Sequence, residues 1–260
     1  MSGTGDSQNM NAVKDLLKSG KTVVGTGGTP NPDLAGILAD AGFDFILFDT
    51  QHAPLEIHQL IPAIHATNGK PAAPIVRVSD NRPDLICFAL DAGARGIVVP
   101  MVNTKEEAAS MVDSCLYYPK GSRSNSGPRG QWGEWSEYRE YLDTANEGMV
   151  IAPMIETQEA LSNIDEILSV DGIDVLLVGP SDLSIELEVP LEFESAIYQA
   201  GLDKIVEACD RSGVIPGMYF IPQGMDPNFF VEKGFKFFTQ QWAPMATEGI
   251  QKHLDSIRRS

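Results

Sequence analysis

Five residues of this chain have types and settings that could do chemistry: Glu156, Asp182, Arg77, and Asp49 with His52. Each ends a short apolar run or, for Arg77, interrupts one: Phe45-Ile-Leu-Phe-Asp-Thr-Gln-His52, Pro74-Ile-Val-Arg-Val78, Met154-Ile-Glu156 and Val178-Gly-Pro-Ser-Asp182. Glu156 and Asp182 stand 26 residues apart, the length of one strand-plus-helix unit, so they belong at the ends of neighbouring strands facing one small volume. Two like charges there need a counter-charge. A hard divalent cation, completed by water and a chelating substrate, supplies it. Zinc is less natural, because no His or Cys falls at a matching strand end. The alternative is that Glu156 caps the helix beginning near Thr157 and Asp182 caps a turn.

Arg77 lies inside an apolar strand, where a charge is costly to bury without an anion. That anion is either a substrate or an internal partner, Asp49 or Glu156. His52 follows Asp49 by three residues; if Asp49 accepts from one ring nitrogen, the other is oriented to take a proton. The competing reading is a structural histidine. His58, His65 and His253 read as packing or surface residues. Gly25-Thr-Gly-Gly28 looks like a phosphate loop but lacks the third glycine, since position 30 is proline. Arg123 and Arg129, in a glycine-rich stretch, could recruit a substrate carboxylate or be solvated loop charges.

The elements that must position these groups are legible as alternating β-branched runs and helical patterns. Eight strands are expected: Thr22–Gly27, Phe43–Asp49, Ala73–Val78, Gly96–Met101, Met149–Glu156, Asp174–Val178, Ile215–Phe220 and Phe235–Gln240. Segments such as Pro32–Ala41 and Glu106–Leu116 repeat apolar residues at three and four positions, as helices do. Capping residues near early prolines (Asn31-Pro32, Asp226-Pro227) and closing glycines (Gly42, Gly93, Gly234) mark the helix ends. Strands that are apolar without alternation are buried on both faces. Together these predict a single-domain α/β chain, a (β/α)8 barrel over residues 1–260, with an open doubly wound sheet as the competing architecture. One connection is long, from Tyr118 to Glu147, with a Trp132…Trp135…Tyr138…Tyr141 pattern at helical spacing; it is expected after strand four, over the barrel mouth.

Composition narrows the partners. The 260 residues are 43% apolar and 21% charged, an ordinary globular profile that argues against disorder and against membrane spanning. The net charge of −17, with no basic patch, would repel a nucleic-acid backbone. Met1 to Met10 has neither a basic start nor an apolar run, so no secretory signal is expected. Cys87, Cys115 and Cys209 are odd in number and widely spaced, as in a reducing, cytoplasmic compartment.

In order, the strand-end residues resemble the HpcH/HpaI family of class II, metal-dependent pyruvate aldolases of the 4-hydroxy-2-oxoheptanedioate aldolase kind. The likeness covers nearly the whole chain: Ala41 to His52, Pro74 to Val78, Asp91-Ala-Gly-Ala94 with Val99-Pro-Met-Val102, Tyr118 to Arg123, Ile155-Glu-Thr157 with Glu159-Ala-Leu161, and Val178 to Ser184. The resemblance implies that Glu156 and Asp182 ligate Mg2+ or Mn2+, with Co2+ as a further option, and that Arg77 meets the keto oxygen of pyruvate. It also implies that Asp49 and His52 form a dyad moving protons through water on the metal, and that the Ser181 and Asp182 N–H groups hold the pyruvate carboxylate. It further implies a homo-oligomer, a hexamer built as a trimer of dimers, with C-terminal helices exchanged between neighbours.

There are departures. Gln51 stands where the family usually has Glu, Met154 where many members have Gln, and Gln240-Gln-Trp242 where a Gly-x-Asp segment is common. Met154 and Trp242, if they line the pocket, favour a larger apolar acceptor. The activity implied is retro-aldol cleavage of a 4-hydroxy-2-oxo acid to pyruvate and an aldehyde, and its reverse. The same enolate serves decarboxylation of oxaloacetate-type acids or a macrophomate-synthase-like reaction. A non-catalytic barrel that binds 2-oxo acids is the alternative from another class. No lysine sits at a strand end suited to a Schiff base.

Overall fold

The structure, a computed structural model, describes residues 11–127, 132–133 and 135–257. Met1 to Met10 and Arg129, both read above, lie outside the described residues. Eight parallel strands pair in chain order and β8 returns to β1, closing the expected (β/α)8 barrel. They are β1 (Val23–Gly27), β2 (Phe45–Asp49), β3 (Ala73–Arg77), β4 (Gly96–Val99), β5 (Val150–Ile155), β6 (Val175–Val178), β7 (Ile215–Met218) and β8 (Phe237–Gln240). Helix α1 (Ala12–Lys18) precedes them. Helices α2 (Pro32–Ala39), α3 (Ile57–His65), α4 (Pro83–Asp91) and α5 (Lys105–Cys115) follow β1 to β4 in turn, and α6 (Tyr138–Gly148) leads into β5. After β5 come α7 (Gln158–Ser162) and α8 (Ile164–Leu168), after β6 α9 (Pro180–Glu186) and α10 (Ala196–Ser212), after β7 α11 (Pro227–Lys233), and after β8 α12 (Trp242–Asp255).

Local chemistry sets the helix ends. Asn31 accepts from the Leu34 N–H with Pro32 at the first helical position, and Thr104 and Glu107 form a reciprocal capping box. Gly234 closes α11 at φ 117°, a conformation costly for any side chain.

The strand pleat separates two cores. Inward residues, among them Phe45, Leu47, Ile75, Val98, Ala152, Met154, Leu177 and Phe237, fill the barrel, and Val13 and Leu17 of α1 stopper its lower end. Outward residues such as Ile46, Val76, Ile97, Ile151 and Leu176 pack against the helices. At roughly 1.5–3 kcal/mol for each large apolar side chain buried, these two layers dominate the favourable side of folding. Inside the barrel the Phe45 and Phe237 rings stack with centroids 4.4 Å apart, and a Cβ on Gly25 would lie 2.3 Å from the Phe45 ring. Gly28 faces Phe48 in the same way, and its N–H is spent on the Leu47 carbonyl at 2.7 Å. The glycine run is therefore a packing solution and not a phosphate cradle.

Two expectations are corrected. Strand β4 stops at Val99, not Met101, because Pro100 has no N–H to give and Met101 takes φ 55°. The described part of the segment after Tyr118 does not cover the barrel mouth. Helix α5 first carries the chain back to the opposite end, where Arg123 and Ser126 bind Asp91 at the end of α4, and Trp132 packs on Gly148 and lies 5.6 Å from the Arg95 guanidinium. Trp132 is in a 3-10 conformation and Trp135 in irregular chain, so the two do not share a helix with Tyr138; the α-helix of this segment starts at Tyr138 and runs to Gly148, one residue before the chain enters β5.

Candidate active site

Side chains alternate along each strand, so the residue two beyond an inward core position also points inward, one layer higher. From Leu47, Ile75, Met154, Leu177 and Gly217 this rule leads to Asp49, Arg77, Glu156, Gly179 and Tyr219. The upper layer of the barrel therefore holds two carboxylates, one guanidinium, one phenol and a gap. It stands at the C-terminal ends of the strands, where barrels of this kind carry their chemistry.

Arg77 is 4% exposed and its internal anion is Asp49. Nε donates to Asp49 Oδ1 at 2.9 Å and Nη2 to Oδ2 at 2.7 Å, a bidentate fork. Among the described residues Nη1 donates only to the Met154 sulfur, at 3.9 Å, a weak acceptor. The Tyr219 ring covers one face of the guanidinium, with its centroid 4.0 Å from Cζ. Burial alone would raise the Asp49 carboxyl, but the Arg77 hydrogen bonds and charge, with the Gln51 and His52 N–H groups, hold it below its usual range. Burial pushes the Tyr219 phenol up to about 12, so it stays neutral.

Glu156 is 2% exposed and its Oε1 has no hydrogen-bond partner among the described residues. Burial, then the charge of Asp182, pushes its carboxyl up to about 7, against the pull of Arg77 and of the Met101 N–H. Gly179 makes the room: a Cβ there would lie 2.7 Å from Oε1 and 2.8 Å from Cγ of Glu156. Asp182 is exposed in the first turn of α9, and Ser181, half-buried, precedes it. A buried, unsatisfied carboxylate oxygen beside a second carboxylate is a donor set suited to a hard dication. Among the described residues no group of three or more His, Cys, Asp and Glu side chains could hold a metal, so water or ligand oxygens would complete its coordination.

The remaining expected site residues are placed unevenly. His52 is exposed on the loop after β2, and the oriented dyad is absent: Asp49 receives the His52 backbone N–H while its carboxylate is occupied by Arg77. A guanidinium fork in register on the next strand outcompetes an imidazole three residues along a loop. Met154 is fully buried beneath Arg77, as floor. Trp242 opens α12 and packs, half-buried, against the sheet–helix layer instead of the inward set. Arg123 is a structural cation, paired with Asp91 at 3.2 Å and 4.5 Å from the Tyr117 ring, so it is not free to recruit substrate. His58 is exposed beside Glu56, and His253 is exposed on α12. Sequence reasoning missed Tyr219, Gly179 and the Met101 N–H. Continuing the period-two alternation past β7 would have found the first.

Comparison with known proteins adds family context. The family described as HpcH/HpaI aldolase/citrate lyase matches residues 28–240. The 4-hydroxy-2-oxo-heptane-1,7-dioate aldolase of Salmonella dublin is 36% identical over 209 residues, 80% of each chain. Among solved structures, the HpcH/HpaI aldolase of Desulfitobacterium hafniense DCB-2 superposes with a TM-score of 0.83 at 27% identity, covering 95% of this chain and 97% of that one. Macrophomate synthase superposes with a TM-score of 0.78 at 27% identity, covering 95% and 87%.

Proposed function

Since this chain belongs to the HpcH/HpaI aldolase/citrate lyase family, we propose that it is a carbon–carbon lyase cleaving a 4-hydroxy-2-oxo acid to pyruvate and an aldehyde, and running the reverse addition. The observation that carries the reading is the pairing of the Arg77 Nη1 edge, which meets only a weak sulfur acceptor among the described residues, with the unsatisfied, buried Oε1 of Glu156 in one inward layer.

Glu156 and Asp182 would hold a divalent cation, Mg2+ or Mn2+, with Co2+ a further candidate. When bound, it would draw electron density from the substrate carboxylate and keto oxygen and so favour an enolate. Arg77 donates from Nη1 to the keto oxygen, where negative charge develops as the C3–C4 bond breaks. The Ser181 and Asp182 N–H groups, in the first turn of α9, have no intrahelical acceptor and receive the substrate carboxylate. His52, free of any side-chain hydrogen bond among the described residues, takes the C4 hydroxyl proton. The aldehyde carbonyl forms as the C3–C4 electron pair passes to the enolate, and protonation at C3 gives pyruvate. Asp49 orients Arg77 instead of the imidazole. Loss of CO2 from oxaloacetate leaves the same enolate, and the likeness to macrophomate synthase supports that second reading.

We take the chain as one barrel domain working in the cytoplasm, where Cys87, Cys115 and Cys209 would stay reduced. Helix α12 buries none of its residues, which supports its exchange with a neighbouring copy in a hexamer. The test is pyruvate release from 4-hydroxy-2-oxoheptanedioate, and from oxaloacetate, with Mn2+ and then with EDTA. Turnover abolished by EDTA and restored by Mn2+ is expected; undiminished turnover after complete chelation would overturn the reading.

A further inference from the structure

We infer that Tyr219 is a positioning residue of this reaction: its ring fixes the tilt of the Arg77 guanidinium so that Nη1 is the edge turned toward substrate. The inference rests on the proposed role of Arg77 at the keto oxygen.

The argument is mechanical. Two parallel hydrogen bonds to Asp49 fix the guanidinium within its own plane. They do not fix its rotation about the Asp49–Arg77 axis, because a two-bond fork is a hinge. The Met154 sulfur at 3.9 Å is too weak an acceptor to stop that rotation. The Tyr219 ring, 4.0 Å from Cζ, is a flat stop and attracts the cation to its face. The ring is itself held. Its residue extends the β7–β6 ladder through a 2.9 Å bond from the Tyr219 N–H to the Val178 carbonyl, and Phe220, edge-on at 6.5 Å, packs in turn on Phe193 at 6.4 Å. The phenol hydroxyl interacts with both Asp49 and Arg77. A group so placed acts through Arg77.

The experiment measures kcat, KM and oxalate affinity, by calorimetry with Mn2+ present, for wild type, Tyr219→Phe, Tyr219→Leu and Tyr219→Met, each also in an Arg77→Lys background. Tyr219→Phe keeps the ring and is expected to stay within about threefold of wild type in kcat. Leu and Met remove the flat face at similar bulk, and should lower kcat and weaken oxalate each by about 10- to 100-fold, the scale of an ångström-level misplacement. In the Arg77→Lys background the same changes should cost less than about twofold. Wild-type values for both Leu and Met, or equal losses in both backgrounds, would overturn the inference; Met serves if Leu does not fold. A wild-type protein that binds oxalate without turning over either acid sinks the proposed function instead, and the binding series alone then decides the role of Tyr219.

Discussion

Asp49 and Arg77 are register partners across the β2–β3 pair, and both Asp49 oxygens are spent on the guanidinium, at 2.9 and 2.7 Å. The pairing divides the arginine into an occupied edge and a free one. It also withdraws Asp49 from the histidine it was expected to orient. A planar fork matters here more than a positive charge. Lysine at this position could satisfy one Asp49 oxygen or a substrate, but not both in a fixed geometry. Arg77→Lys is expected to lower kcat/KM by about 100- to 1,000-fold, the scale of losing one preorganised oxyanion donor. Asp49→Ala should, besides disorienting Arg77, appear in stability, costing about 3 kcal/mol in urea unfolding, because it strands a buried cation. A Lys variant within tenfold of wild type would argue against the fork.

Glu156 gives the metal-free protein a pH signature. Its carboxyl is pushed from a reference of 4.5 to about 7, so between those values the native state keeps a proton that the unfolded chain has released. Its contribution to stability is complete below pH 4.5 and is lost as pH rises through 7. Glu156→Gln should therefore flatten this part of the curve and be more stable than wild type at pH 8 in EDTA, by on the order of 2–3 kcal/mol. Mn2+ affinity of the wild type should rise through pH 7 and level off above it, since proton and cation compete for the same oxygens. Urea titrations and Mn2+ binding at pH 5 to 8 read both effects, and parallel stability curves for the two proteins would contradict the assignment.

Much of this was legible in the sequence because the barrel repeats a simple grammar. Doubly buried strands such as Gly96-Ile-Val-Val99 carry no alternation, and the polar residues that end them, Asp49 and Glu156, stand out. Tyr219 did not stand out: an aromatic residue inside Ile215–Phe220 reads as strand core, and only the pleat shows that it turns inward above Gly217. The Asp49–Arg77 pair was one of several anions open to the arginine, and strand register, which local pattern does not encode, decides among them. The segment after Tyr118 was expected over the mouth because long connections usually carry function, whereas the position of α5 determines which end of the barrel it reaches.

Gly25 tests the packing account of the glycine run. A methyl group there would lie 2.3 Å from the Phe45 ring, which is pinned by Phe237 at 4.4 Å. Gly25→Ala should destabilise by about 1–3 kcal/mol, the usual cost of overpacking. Combining it with Phe45→Leu should recover part of that loss, so that the double variant is more stable than the sum of the two single changes implies. Additive losses in thermal unfolding would place the strain elsewhere.

Helix α12 presents Ile250, Leu254 and, just past its end, Ile257 at 61%, 38% and 53% exposure, a stripe at four- and three-residue spacing that none of the described residues covers. Such a stripe implies a partner. Ile250→Glu with Leu254→Glu should leave the fold intact, because α12 contributes no buried residue, while shifting sedimentation velocity from the proposed hexamer to smaller species. An unchanged sedimentation coefficient would mean that assembly, if any, uses another face.

Gly179 links backbone and metal chemistry in one substitution. It caps α9 at φ −90° and ψ 98°, a conformation any L-residue adopts, so an alanine there carries no backbone strain. Its nearest conflict is with Glu156, whose Oε1, Cγ and Cδ would all lie within 2.7 to 2.9 Å of the new methyl group. The side chain must swing away, and the buried oxygen proposed to ligate the cation moves with it. Gly179→Ala should therefore weaken Mn2+ binding by about tenfold or more, the scale on which disturbing a ligand's support acts, while altering unfolding stability by less than about 1 kcal/mol. Mn2+ titration followed by electron paramagnetic resonance, beside urea unfolding in EDTA, separates the two effects. Undiminished binding would show that Glu156 holds no metal from its present position.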